Sequence, residues 1–264
     1  MKKRNHFIIP AFLIAYLFAS ITIYAFPKTP SEYYEIRVYH YANADQESGI
    51  SNYLQNALVP ALHRQGILKI GVFKSLANDT LADKTIYVLI PLRSADQKLS
   101  INSKLDEDAA YRNAGKDYLD AVFDHPPYTR IESIMLLAFP LAPQMNVPQL
   151  KGARSERVYE LRSYESATEK LHRNKVQMFN EGGEITLFKR LNFNAVFYAS
   201  VIYGSKTPNL MYMTTFENKE DREAHWKSFS DSPEWKKLSA EPGYQHNVSK
   251  VDITFLRPTD YSDY

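Results

Sequence analysis

Apolar residues recur along this chain at two spacings, every second position and every third or fourth, and the same succession of spacings is run through twice. Glu32 to Tyr39 and Glu156 to Tyr164 each alternate strictly, as a strand with two chemically different faces does. Tyr159, Leu161 and Ser163 fall on one face of the second stretch, and Glu160, Arg162 and Tyr164 on the other. Tyr34, Glu35, Arg37 and Tyr39 reappear as Tyr159, Glu160, Arg162 and Tyr164, a constant shift of 125 (159 − 34), and Tyr87 and Tyr212 repeat it. The chain therefore reads as a tandem repeat, with the register extending to the middle of each half.

After the first strand, Ile50, Tyr53, Leu54, Ala57, Leu58, Ala61 and Leu62 carry the spacing of a one-sided helix, with a kink or restart at Pro60 and a stop at Gly66. Leu68 to Leu76 and Thr85 to Leu92 predict a hairpin, Ser94 caps a helical region continued from Asp106 through Phe123, and Arg130 to Phe139 predicts a closing strand. The second half repeats this order: a helix over Thr168 to Arg190 interrupted at Gly182-Gly183, strands at Asn194 to Ile202 and Asn209 to Phe216, helices capped by Asn218 and Ser232, and a last strand over Ser249 to Leu256. For the two glycines, close approach to the sheet is preferred over room for a ligand. Pro140, Pro143 and Pro148 punctuate an aperiodic linker.

Two four-stranded sheets with helices on one face each leave a second face partly apolar: Val251, Ile253 and Phe255 lie on one side of the last strand and Leu256 on the other. Packing the sheets together removes that exposure. The expected fold class is α+β, two tandem ferredoxin-like units forming a pseudo-twofold sandwich or barrel. The expected divisions are residues 1–25 as leader, 31–140 as the first half, 141–154 as linker and 155–260 as the second half.

Lys2, Lys3 and Arg4 precede an almost wholly apolar Phe7 to Ala25, the layout of a signal peptide or, uncleaved, an N-terminal anchor. Either implies an exported protein, periplasmic or secreted, and contact with a membrane only through that leader. The leader also explains the formal charge of +2, since removing its three cations from the 32 basic residues leaves 29 against 30 acidic ones. No field then remains to attract nucleic acid. The absence of cysteine excludes disulfides, thiolate metal sites and cysteine nucleophiles.

Tyr159 to Tyr164, Phe179-Asn180-Glu181-Gly182-Gly183-Glu184, Leu187 to Leu191, Val196-Phe197-Tyr198, Pro208 to Met213, Trp226, Phe229, Pro233 to Lys236 and Phe255 to Thr259 together resemble the NIPSNAP family. The resemblance spans nearly all of the second half, while the first half shares its opening strand and layout and lacks the tryptophan pair. It implies a dimeric α+β barrel, here completed within one chain, and no common reaction.

Glu169 and His172 have di-iron spacing, but such a centre needs two such pairs plus two more carboxylates and no second Glu-x-x-His exists, so no metal and no cofactor is expected. Phosphate-loop, nucleophile-elbow and His-Glu-x-x-His motifs are missing too. The repeated Glu35, Arg37, Tyr39 and Glu160, Arg162, Tyr164 must either pair at the barrel seam or line a cavity, because unpaired burial costs several kcal/mol. If a pocket lies there, Arg162, Tyr164, Tyr198 and Tyr212 would hold an acidic or aromatic small molecule, with Glu184 and His225 moving a proton. The leading expectation is an exported binder of a small molecule or a protein partner. The alternatives are a cofactor-independent enzyme of the monooxygenase type acting on an aromatic substrate, and a structural module that forms a homo-oligomer through exposed aromatics such as Trp235.

Overall fold

The computed structural model describes residues 29–264; the leader read at residues 1–25 lies outside the described residues. The first half runs β1 (Tyr33–Tyr41), α1 (Ala44–Tyr53), α2 (Val59–Arg64), β2 (Gly71–Ser75), β3 (Lys84–Leu92), α3 (Ala95–Glu107), α4 (Ala109–Ala114), α5 (Lys116–Leu119) and β4 (Arg130–Ala138). The second runs β5 (Val158–Glu165), α6 (Glu169–Asn180), α7 (Glu184–Arg190), β6 (Phe197–Tyr203), β7 (Asn209–Phe216), α8 (Lys219–Asp231), α9 (Pro233–Ala240) and β8 (Lys250–Pro258). The eight strands close into one barrel in the order β1-β3-β2-β8-β5-β7-β6-β4, all neighbouring pairs antiparallel. This is the α+β fold that the repeat predicts, and the halves join edge to edge as well as face to face. The two seams are β2–β8, where Phe73, Lys74 and Ser75 oppose Pro258, Arg257 and Leu256, and β4–β6, where a bulge falls between Met135 and Leu136.

Strand alternation distributes the apolar residues over three layers. Tyr34, Ile36 and Val38 of β1 and Tyr159 and Leu161 of β5 point into the barrel, where they meet Leu136, Phe197, Met211, Met213 and Leu256. The opposite faces of the same strands pack under the helices of their own half, around Leu54, Leu58 and Leu62 in the first and around Phe179, Phe188 and Phe229 in the second. One end of the barrel is filled. Residues 259–264 fold across it so that Tyr264 packs on Phe73 and Tyr159, with ring centroids 5.7 and 6.2 Å away, and its hydroxyl reaches Met145 Sδ.

The helix restarts at Pro60 as expected: a π turn over Leu54–Leu58, with Val59 N–H bonding Leu54 O, separates α1 from α2, whose first turn holds the proline, because proline supplies no N–H and crowds the carbonyl four residues back. Several other local expectations are revised. The region after Ser94 stops at Leu119, short of Phe123, and is not continuous: Asp108 leaves helical geometry and uses its side chain to cap α4 at Tyr111 N, and α5 starts only after Gly115. Gly182 does approach something closely, but not the sheet: a Cβ there would stand 2.5 Å from Met178 O of α6, while Gly183 takes a left-handed φ of 91° to open α7. The shift of 125 does not extend to the central strands. Val38 opposes Tyr87 and Ser163 opposes Met211, so Tyr87 corresponds to Met211, a shift of 124. A slip of one residue reverses the face, and Tyr87 accordingly lines the barrel interior whereas Tyr212 lies under the helices. On β8 it is Leu256 that enters the barrel; Val251, Ile253 and Phe255 face outward and stay 38–46% exposed.

Phe73 sits on the β2–β8 seam with 0% exposure and touches aromatic rings from the other half. Phe73→Ala is expected to lower unfolding stability by about 3–5 kcal/mol, the range for deleting a buried aromatic. Urea denaturation of the two proteins measures it.

Candidate functional site

On β5 the outward residues meet α8 and α6. Glu160 is fully buried and takes Arg162 Nε at 2.6 Å, Arg222 Nε at 2.8 Å and Trp226 Nε1 at 2.8 Å. The Arg162 guanidinium lies 3.7 Å over the Trp226 ring and donates to the Tyr164 hydroxyl at 2.9 Å, and that hydroxyl is 2.8 Å from the Tyr212 hydroxyl. Tyr198 stacks on Tyr212. Burial pushes the Glu160 carboxyl up, but Arg222, Arg162 and Trp226 outweigh it and hold the group below the usual carboxylate range. The first half repeats the arrangement: Glu35, also fully buried, takes Arg37 Nε, Lys98 Nζ and Ser133 Oγ, each at 2.7 Å. The choice between seam pairing and a cavity is thus answered differently. These charges pair, in the sheet–helix layer of each half and away from either seam, because alternation turns Glu160 and Glu35 outward from the barrel.

Arg162, Tyr164, Tyr198 and Tyr212 are brought together in this layer. Glu184 and His225 are not brought to each other. Glu184 bonds Lys175 Nζ at 2.8 Å, and His225 Nδ1 lies 2.8 Å from Asp221 O, its ring against Phe193 and Phe216. Lys175, buried among Phe179, Tyr164 and Trp235, was legible only as a charge on the apolar stripe of α6. Of the predicted set only Tyr198 borders a described cleft, between the linker and α7.

The unfilled end of the barrel is different. A cavity of about 480 Å³ opens there, with Val38, Ile134, Leu161 and Met211 among its walls and a polar rim above them. Glu132 on β4 and Asp252 on β8 stand four places apart in the eight-strand ring, on opposite sides. Arg130 Nη2 bonds Glu132 at 2.9 Å; Lys206, from the β6–β7 turn, bonds Asp252 at 2.9 Å. His40 is buried, its Nδ1 2.9 Å from Asp83 and its Nε2 3.3 Å from Glu132. Ser163 and Asn209, both buried, bond each other across β5 and β7. The hydrogen bond to Asp252, with the charges of Asp252, Glu165 and Glu132, holds the Lys206 ammonium above its ordinary range, and Lys206 holds Asp252 below its own. Among the described residues no group of three His, Asp or Glu side chains is arranged to hold a metal ion. Sequence reasoning missed this rim; the signal for it was the pairing of Glu132 and Asp252 two and four positions before the inward Ile134/Leu136 and Leu256.

The NIPSNAP family model matches residues 159–263. The second half is a NIPSNAP domain. It supplies Glu160, Arg162 and Trp226 of the buried network and β5, β6, β7 and β8 of the barrel. No curated protein matches the chain. Among solved structures, a provisionally assigned monooxygenase of Lactobacillus acidophilus NCFM superposes with a TM-score of 0.57 at 12% identity over 86% of this chain and 94% of its own. A similarly assigned protein of Fusobacterium nucleatum gives 0.56 at 7% identity over 87% and 93%. A NIPSNAP-like domain protein of Burkholderia xenovorans is 19% identical over 41% of this chain and 90% of its own, with a TM-score of 0.38. At these identities the first two likenesses show the fold alone: the NIPSNAP domain and the first half together form the dimeric α+β barrel fold.

Removing the Glu160 carboxylate strands two arginines in the NIPSNAP domain, and Glu160→Ala is expected to cost about 3–5 kcal/mol. Because the folded carboxyl titrates below its unfolded value, its contribution is complete above about pH 4.3 and is lost as pH falls through the folded pKa. The stability gap between wild type and Glu160→Gln, followed by urea denaturation from pH 7 to pH 3, should therefore shrink on acidification.

Proposed function

We propose that this protein binds a small molecule in the open mouth of its barrel. The observation that carries the reading is the contrast between the two ends: one is filled by Tyr264, Phe73 and Tyr159, while the other leaves about 480 Å³ above an apolar floor with polar groups converging on it. Apolar walls with a few placed polar groups at the mouth of a barrel are the usual character of a ligand site. Both halves contribute, His40, Glu132 and Tyr87 from the first and Ser163, Asn209 and Asp252 from the NIPSNAP domain. Ser163 and Asn209 engage only each other among the side chains, so the second amide hydrogen and the second carbonyl lone pair of Asn209 remain for a ligand in the mouth.

The Arg162–Tyr164–Tyr212 layer is assigned a supporting role. Its polar atoms satisfy one another and its aromatic rings are in contact, which fixes β5 and so fixes Leu161 and Ser163 on the reverse face of the same strand.

A fragment library titrated into labelled protein is expected to shift the amide resonances of residues around 38–40, 161–163 and 206–211 together. Thr254→Phe, a wall position on β8, should abolish those shifts while leaving the melting temperature within a few degrees. Fragments that bind only at the α7 cleft, or binding that survives Thr254→Phe, would remove the mouth as the site.

A further inference from the structure

The strands that carry the two rim carboxylates are equivalent. Glu35 opposes Met135 and Glu160 opposes Phe255, so β4 and β8 correspond at a shift of 120 and Glu132 corresponds to Asp252. The mouth therefore presents one carboxylate from each opposite wall, related by the pseudo-twofold axis of the barrel. Arg130 and Lys250 correspond at the same shift, so each carboxylate has a cation two residues before it on its own strand, 2.9 Å from Glu132 and 3.5 Å from Asp252. Asp252 has a further and closer partner in Lys206, which comes from the β6–β7 turn. Glu165, at the same end of β5, adds a further negative charge, and Lys250 lies 3.5 Å from Asp252 and 3.6 Å from Glu165.

The Lys206 side chain is half exposed, and its turn rests on Gly204 at φ 142° and Lys206 itself at φ 65°. An ion pair this exposed contributes little to stability, so exchanging it costs little. With Lys206 swung out, Asp83, Glu132, Glu165 and Asp252 outnumber Arg130 and Lys250, and a negative mouth above an apolar floor remains. The replacement that restores the charge is another ammonium, and one bearing an alkyl or aromatic body also covers Leu161, Met211, Val38 and Ile134.

Resting on the reading of the mouth as the binding site, we propose that its ligand is a compact organic cation, an ammonium or guanidinium with an apolar body, and that Lys206 is the internal group it displaces from Asp252.

Three probes with the same body and different heads test this on the full chain: n-butylammonium, butanol and butyrate, titrated by NMR into wild type, Lys206→Met and Lys206→Met/Asp252→Asn. Butylammonium should shift the mouth resonances at lower concentration than the other two. Its Kd should tighten about tenfold in Lys206→Met, as the loss of one competing charge-assisted contact would give, and return to the wild-type value or beyond in the double variant. Lys206 is exposed, so its replacement leaves the fold intact, which the unchanged spectrum outside the mouth verifies. If butanol or butyrate binds the mouth as well as butylammonium, or Lys206→Met brings no gain, the cationic ligand is overturned and the mouth as a site stands. If none of the probes or library fragments shifts the mouth resonances, both fall together.

Discussion

Everything in this protein follows from the need of two open sheets to close their edges. A ferredoxin-like unit on its own ends in strands whose backbone groups lack partners, and its sheet has an apolar face without a cover. Here β2 pairs with β8 and β4 with β6, so each half supplies what the other lacks. The seam is reinforced by side chains: Phe73 packs on Tyr159 across it, and Arg154 of the linker donates to the carbonyls of Thr259, Asp260 and Ser262. The barrel interior is accordingly a property of the pair of halves.

Closure divides the polar residues of each central strand between two environments. Those facing outward, Glu35 with Arg37 and Glu160 with Arg162, are shut between sheet and helices, where burying a carboxylate is tolerated only with nearly complete hydrogen bonding. Each half solves this in the same way, with an arginine two residues along the strand and a cation from the overlying helix, Lys98 or Arg222. Those facing inward divide along the barrel axis instead, with aromatic rings at the filled end and Ser163, Asn209, Glu132 and Asp252 at the open one.

The halves are copies in plan and differ in finish. Tyr118 and Tyr128 pack beside Tyr39 over the first sheet, whereas the outer face of β8 keeps Val251, Ile253 and Phe255 partly in solvent. The NIPSNAP domain carries the tryptophan that caps Arg162; the first half meets its corresponding Arg37 without one. The buried carboxylate with its strand arginine is the part that both halves retain.

The repeat, the order of elements, the caps at Ser94, Asn218 and Ser232 and the alternation of β1 and β5 were all legible in the sequence, because each depends on residues within a few positions of one another. Strand parity likewise puts Arg162 and Tyr164 on one face of β5, whereas the meeting of Tyr198 and Tyr212 with them depends on the register of β6 and β7. Where that face looked, and what filled it, was not legible. A shift of 124 in place of 125 puts Tyr87 in the barrel and Tyr212 outside it, and pattern cannot resolve one residue of register across a gap of that length. Nor could spacing predict that Glu132, Lys206 and Asp252, from three separate strands and turns, would meet at one rim. That depended on which edges paired, and edge pairing is decided by the packing of the whole chain.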